Sequence, residues 1–202
     1  MSREVTRIIR QEHTDISAVL YVFREALQRL ATTGGDFDLL QAILDYIATY
    51  PWRWHHPKED LLIDALRQLA DLADRPMLDR LAGEHQQGDE KVGALVALFA
   101  PAGRDPEATR RFVEAGEDFI TDEWAHMKAE EEQLLPRLEQ ALDEATWARL
   151  ATQLEAFDHP RFGIRPADDA RRLFAHILNL ALRTTGDANN ISTLPKAPRK
   201  DH

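Results

Sequence analysis

A histidine and a glutamate four residues apart occur twice in this chain, as His55 and Glu59 and again as His126 and Glu130. Residues four apart share one face of a helix, so each pair can present a nitrogen and an oxygen to a single point. Both motifs continue into a further acidic residue, in HHPKED and HMKAEE. Imidazole and carboxylate groups without sulfur suit iron, manganese or zinc ions.

Two further histidines extend the pattern. His13 and His85 each follow a glutamate and fall on the apolar stripe of a predicted helix. The separation of His13 from His55 is 42 residues (55 − 13), and that of His85 from His126 is 41 (126 − 85). The sequence therefore predicts two copies of a helical hairpin, and each copy contributes one His followed by one His-x-x-x-Glu pair. The predicted metal ligands are His13, His55, Glu59, His85, His126 and Glu130.

This ligand set predicts the number and kind of ions. Six polar groups facing a core would each cost several kcal/mol if they were left unpaired, whereas metal coordination satisfies them together. Four imidazoles and two carboxylates exceed a four-coordinate structural zinc site. They suit two iron ions, each with two imidazoles, bridged by both carboxylates and by an oxygen from solvent. Manganese or zinc is the less favoured choice.

The elements that must position these residues are all helical. Apolar residues recur at helical spacing, and alternating strand patterns are absent. We expect an all-α fold, an antiparallel up-down four-helix bundle with extra C-terminal helices. The predicted helices span 4–30, a kinked or split stretch from 36 through 69, a third from 76 through 99, a fourth from 106 to 142, a short one around 147–157 and a last one over 167–184.

Composition limits location and partners. We expect a bundle over 1–145, a helical extension over 146–183 and a disordered tail over 184–202. The formal net charge of −10 argues against nucleic acid as a partner. No apolar run reaches the roughly 20 residues of a membrane span, and the chain has no cysteine. A cytoplasmic location is the simplest interpretation.

The paired motifs resemble those of the hemerythrin-like (HHE cation-binding) domains. The matching residues are His13, HHPKE with His55 and Glu59, EH with His85, and HMKAE with His126 and Glu130, within residues 4–142. The resemblance implies a four-helix bundle around a non-haem di-iron centre. Oxygen-carrying members have a further His where this chain has Asp89, which weakens a simple oxygen-storage role. Members linked to nitrosative stress and iron–sulfur repair often carry an N-terminal cysteine-containing segment that is absent here.

The resemblance implies a protein that binds, senses or scavenges O2, NO or peroxide at an open iron position. Two alternatives remain at this point. One is a di-iron enzyme that reduces NO or decomposes peroxide, and the other is an iron store or donor for stress repair. Whether the protein is an enzyme is left open.

The HHPKED segment allows a rival register, because His56 and Asp60 are also four apart. The face of His55 is more apolar, so we expect His55 to be the ligand and His56 to be solvated or to support a ligand. Pro57 removes one backbone donor. We expect a kink there that aims His55 inward.

Several neighbours have weaker assignments. Glu123 lies three residues before His126 and could relay a proton or form a salt bridge. Glu12 and Glu84 could accept the free N–H of a ligand histidine from a neighbouring helix. The tryptophans Trp52, Trp54 and Trp124 could shield the site, and no role is assigned to His159, His176 or His202. The last helix could pack on the bundle or support a homodimer.

Overall fold

The computed structural model describes residues 2–69, 73–157 and 166–185 of the chain, and every regular element among them is a helix. The α-helices are α1 (Ser2–Thr32), α2 (Phe37–Ile47), α3 (His56–Arg67), α4 (Arg75–Phe99), α5 (Pro106–Ala129), α6 (Leu135–Ala141), α7 (Glu144–Phe157) and α8 (Pro166–Thr185). Two single π-helical turns, Pro51–His55 and Glu130–Leu134, precede α3 and α6. Within the described part of the chain, no helix is long and apolar enough to cross a membrane. The predicted tail falls almost entirely on residues beyond 185, outside the described residues.

Local chemistry explains where the helices start and stop. The Asp36 carboxylate accepts a hydrogen bond from the Leu39 amide at 3.0 Å and caps α2. Asp105 caps α5 in the same way, with Pro106 in the first turn, where its missing N–H has no cost. Gly34 ends the first helix with a φ of 96°, a conformation that glycine adopts at little cost.

The helices pack around α1 and α5, which lie along each other. α5 also packs on α4, and α4 on α3, while α7 contacts both α1 and α3. The last helix, α8, packs on α2 and α1, where Ile177 is fully buried. Of the two expectations for this helix, packing on the bundle is therefore the one the structure supports.

Two apolar clusters lie on either side of a polar layer. One is built around residues such as Ile16 and Phe112, and the other around residues such as Ile9 and Leu138. His13 falls between Ile9 of one cluster and Ile16 of the other. The layer that contains the histidines is therefore enclosed by hydrocarbon at both ends.

Both π-helical turns end two residues before a proline. The His56 amide donates to the carbonyl of Pro51, and the Leu135 amide donates to the carbonyl of Glu130. A proline has no amide hydrogen, and in a regular α-helix its ring would collide with the carbonyl four residues earlier. Pro57 and Pro136 follow these two amides in the sequence. The prolines account for the position of each widened turn.

These turns change two predictions. The split in the second stretch is present, but it takes the form of a π-helical turn before His56. The fourth predicted helix, over 106–142, is helical from Pro106 to Ala141, but a π-helical turn at Glu130–Leu134 interrupts its α geometry.

Two glycines of α4 provide a matched test of packing. A Cβ on Gly88 would lie 2.1 Å from the Trp52 ring, whereas a Cβ on Gly93 has no neighbour within 4 Å. We expect Gly88→Ala to lower the free energy of unfolding by about 1–2 kcal/mol, because the indole has to move. Gly93→Ala should raise it by about 0.5–1 kcal/mol through helix propensity alone. Urea denaturation of both variants measures the difference, and an equal effect of the two substitutions would contradict the packing.

Candidate metal centre

The six residues predicted as metal ligands converge in the polar layer. Each comes from a different element: His13 from α1, His55 from the first π-helical turn, Glu59 from α3, His85 from α4, His126 from α5 and Glu130 from the second π-helical turn. Glu59 and Glu130 are both 0% exposed. Isolated carboxylates are almost never buried to this extent without compensation, so the histidines around them decide the character of the site.

The two oxygens of Glu59 face different histidines. Its Oε1 lies 2.9 Å from His13 Nε2 and 3.1 Å from His55 Nε2. Its Oε2 lies 3.6 Å from His85 Nε2. One carboxylate therefore reaches from the first hairpin's histidines to a histidine of the second hairpin.

Glu130 spans the same gap from the other hairpin. Its Oε1 lies 3.3 Å from His126 Nε2 and 3.5 Å from His85 Nε2. Its Oε2 lies 3.4 Å from His13 Nε2. Each carboxylate thus presents one oxygen to each pair of histidines, and every Nε2 atom points toward the carboxylates.

The Nδ1 atoms point outward to a second set of acids. His55 Nδ1 donates to Glu12 at 2.9 Å, and His126 Nδ1 donates to Glu84 at 2.7 Å. These are the contacts predicted for Glu12 and Glu84 from the sequence. Lys58 forms an ion pair with Glu12 and supports it. Such acids fix the orientation of an imidazole and raise its basicity toward a metal.

The other two histidines use acids that the sequence analysis did not assign. His85 Nδ1 donates to Asp60 at 2.7 Å, and His13 Nδ1 donates to Glu131 at 3.0 Å. Asp60 and Glu131 are the residues immediately after Glu59 and Glu130. The repeated extra acid in HHPKED and HMKAEE was the available signal, and each hairpin uses it to hold a histidine of the other hairpin.

Several buried polar atoms of the layer have no hydrogen-bond partner among the described residues. Among the described residues, no hydrogen-bond partner is present for Oε2 of Glu59 or for either oxygen of Glu130. The Nε2 atoms of His85 and His126 face each other at 3.0 Å. Buried polar atoms are normally satisfied, and converging imidazole nitrogens with unpartnered carboxylate oxygens match what a divalent metal requires. The donor set therefore fits a metal.

The donors group around two points. In one group, single ligand atoms of His13, His55 and Glu59 lie within 4.8 Å of one another. In the other, ligand atoms of Glu59, His85, His126 and also His56 do so. Glu59 belongs to both groups, as a carboxylate between two ions would.

Of the two expectations for His56, solvation is wrong and contact with a predicted ligand is present. It is 5% exposed rather than solvated, and its ring stacks on that of His85 with centroids 4.3 Å apart and an angle of 10°. Its rival partner Asp60 has a 51% exposed side chain and turns outward to His85 Nδ1. His55 is also buried, at 1% exposed, so both neighbouring histidines face the interior.

The metal-free cluster holds protons on its histidines. Burial opposes the charge on His13, but the nearby carboxylates of Glu130, Glu131 and Glu59 outweigh it and raise the pKa to about 12. The pKa of His85 is raised to about 10 and that of His126 to about 9, because carboxylates outweigh burial there too. The pKa of His56 is lowered well below its usual value by burial and by the neighbouring His85. His56 is therefore the neutral histidine of the layer.

A cavity of about 140 Å³ opens onto one side of the layer, and its lining includes His56, His85, His126 and Glu123. The Glu123 carboxyl is 9% exposed, and burial raises its pKa to about 7. A small molecule that enters this cavity meets the His85 and His126 side of the layer first.

The tryptophans and the remaining histidines considered in the sequence analysis lie at the following places. Trp52 packs on His56 with ring centroids 4.1 Å apart, whereas Trp124 stacks under the Arg24 guanidinium. Trp54 is half-buried. His176 is exposed on α8, and Asp89 is exposed on α4. His159 and His202 lie outside the described residues.

A comparison with models of protein families shows which family the chain belongs to. A family model described as the hemerythrin HHE cation binding domain matches residues 4–138. The chain belongs to the hemerythrin HHE family. No curated protein and no solved structure gives a significant match. The matched range of this HHE domain contains all six residues of the candidate site and ends before α7 and α8.

Proposed function

We propose that this hemerythrin HHE protein holds two iron ions, one between His13 and His55 and one between His85 and His126. Glu59 and Glu130 would bridge them, together with an oxygen from solvent. The observation that carries the proposal is that each of these two buried carboxylates presents one oxygen to each pair of histidines. Two carboxylates with histidines inside a helical bundle are a known arrangement for paired iron ions.

The surrounding architecture that we propose is an antiparallel four-helix bundle over residues 1–145, with residues 146–183 as a helical extension. It is supported by the packing of α1 on α5, of α5 on α4 and of α4 on α3. The extension contributes Trp147, which is 2% exposed against one apolar cluster, but none of the six ligands.

The proposed role is to bind a small ligand, O2, NO or peroxide, and so to sense or scavenge it in the cytoplasm. Ferrous ions in such a site supply electrons and Lewis acidity to a ligand of this kind. The protein would contribute the access cavity, the enclosure of the layer by apolar residues at both ends, and the outer acids that fix each imidazole.

Anaerobic loading of the metal-free protein with ferrous iron tests the proposal. We expect about two iron ions per chain, since the site offers two groups of ligands. Titration of the reduced protein with NO, followed by visible absorption, should then show saturable binding in proportion to the iron content. One iron or fewer per chain would contradict the paired site, and two irons without any response to NO, O2 or peroxide would contradict the role.

A catalytic role is the second candidate, and Glu123 is the observation that favours it. Its carboxyl lines the cavity, and a pKa near 7 in the metal-free protein lets it hold a proton at neutral pH. A positioned general acid contributes about 10²- to 10⁴-fold to a rate. Reduction of NO and decomposition of peroxide both require proton movement beside the ligand.

For an enzyme of this kind, we expect Glu123→Gln to lower peroxide consumption per iron by about 10²-fold, with the iron content unchanged. The wild-type rate should fall as the pH rises through the pKa of the carboxyl, because the proton is then lost. Glu114→Gln, an exposed change on the same helix, is the control. Equal rates for both variants would remove Glu123 from the reaction.

A further inference from the structure

His56 has a packing environment of its own. Its ring contacts both the indole of Trp52, at 4.1 Å between centroids, and the ring of His85, at 4.3 Å. Trp52 in turn occupies the space over Gly88, where even a methyl group would collide with it. The ring of His56 is therefore held by a stacked contact with His85 and a tilted contact, at 58°, with Trp52.

The imidazole of His56 also reaches the proposed ligands. One of its nitrogens lies within 4.8 Å of ligand atoms of Glu59, His85 and His126, and they in turn lie within that distance of one another. Its Nδ1 is buried without a hydrogen-bond partner in the described part of the chain. An orphaned buried nitrogen at this position requires either a hydrogen bond or a metal.

A count of ligands shows what His56 would add. In the proposed site, each ion has two imidazoles, one oxygen from each glutamate and the solvent oxygen, which makes five ligands. An octahedral ion has one further position. His56 approaches the His85 and His126 group, whereas the His13 and His55 group contains no third histidine among the described residues.

We propose that His56 is a third imidazole ligand of the metal ion held by His85 and His126. This inference rests on the proposed two-metal site and makes its two ions unequal, with three imidazoles on one and two on the other. Because His56 also lines the cavity, it fills the position that an entering molecule would otherwise take. A small ligand then binds at the His13 and His55 ion or displaces His56.

Titration of the metal-free full-length protein with Co²⁺ tests this assignment, because its visible absorption depends on the number of ligands. His56→Phe is the main variant, since phenylalanine keeps a flat ring between Trp52 and His85 but offers no nitrogen. His176→Ala, which removes an exposed histidine of α8, is the control. Circular dichroism confirms folding, and His56→Gln replaces the main variant if the phenylalanine is not accommodated.

We expect two Co²⁺ ions per chain in the wild type and in His176→Ala. In His56→Phe, one of the two ions should bind at least about tenfold more weakly. A tenfold loss of metal affinity is the lower limit seen when a residue that only supports a ligand is removed, and His56 is proposed to be a ligand itself. Its absorption should change while that of the other ion stays the same. Two ions bound to His56→Phe with unchanged affinity and absorption would overturn the role of His56. Fewer than two ions in the wild type would instead count against the two-metal site itself.

Discussion

Replacement of Glu130 by glutamine is expected to abolish the binding of both proposed metal ions. The carboxylate presents Oε1 to His85 and His126 and Oε2 to His13, so a single side chain serves both groups of ligands. Glutamine keeps the size of the side chain but replaces one oxygen by an NH2 group. That group donates hydrogen bonds and cannot bind a cation. The ion that faces the NH2 group would lose a ligand, and the other ion would keep only a neutral carbonyl oxygen in place of a carboxylate oxygen.

Iron per chain after anaerobic loading measures the effect. Glu130→Gln should retain less than about one tenth of the wild-type iron, because loss of a bridging ligand exceeds the 10- to 100-fold cost of losing a supporting residue. Glu132→Gln, a 62% exposed neighbour in the same π-helical turn, should load like the wild type. Retention of one tightly bound iron in Glu130→Gln would show that the two ions do not share this carboxylate.

Metal binding should release at least two protons per chain at pH 7. In the metal-free protein, carboxylates outweigh burial and place the pKa of His13 at about 12, that of His85 at about 10 and that of His126 at about 9. Because the Nε2 atoms of His85 and His126 face each other at 3.0 Å, only one of these two rings can carry a proton on Nε2. His13 and one ring of that pair are therefore protonated at neutral pH, and each must lose a proton before its Nε2 can bind a metal. Metal affinity therefore falls at low pH and rises as the pH increases. With two protons released, the product of the two association constants should rise by about a hundredfold per pH unit near neutrality.

Calorimetric titration with Co²⁺ in two buffers of different ionisation enthalpy counts these protons directly. The His176→Ala protein should release the same number, because that ring lies outside the layer. Release of one proton or none at pH 7 would show that the histidines are already neutral without metal.

The sequence predicts much of the site because its spacing is local. His55 and Glu59, like His126 and Glu130, are placed on one face by helical geometry alone, and the repeated interval between hairpins indicates that the two halves meet. Likewise, the breaks near residues 34 and 104 are encoded by glycine, aspartate and proline at the helix ends. The structure brings all six predicted residues together for these reasons.

What the sequence could not provide depends on packing between helices. On a regular helix, neighbours such as His55 and His56 point about 100° apart, so one of them should face solvent. In the structure, a π-helical turn before Pro57, together with Trp52 and α4, buries both. The roles of Asp60 and Glu131 were missed for a related reason. Their partners belong to the opposite hairpin, and no interval within one hairpin indicates such a contact.

The exchange of acids between hairpins has a consequence for the history of the fold. Asp60 of the first hairpin holds His85 of the second, and Glu131 of the second holds His13 of the first. Neither hairpin contains a full set of supporting acids for its own histidines, so neither copy alone is a smaller version of the site. If the chain arose by duplication, its ancestor would have worked as a pair of identical hairpins. Fusion then let the halves diverge, and His56, which has no counterpart beside His126, is where they differ at the centre.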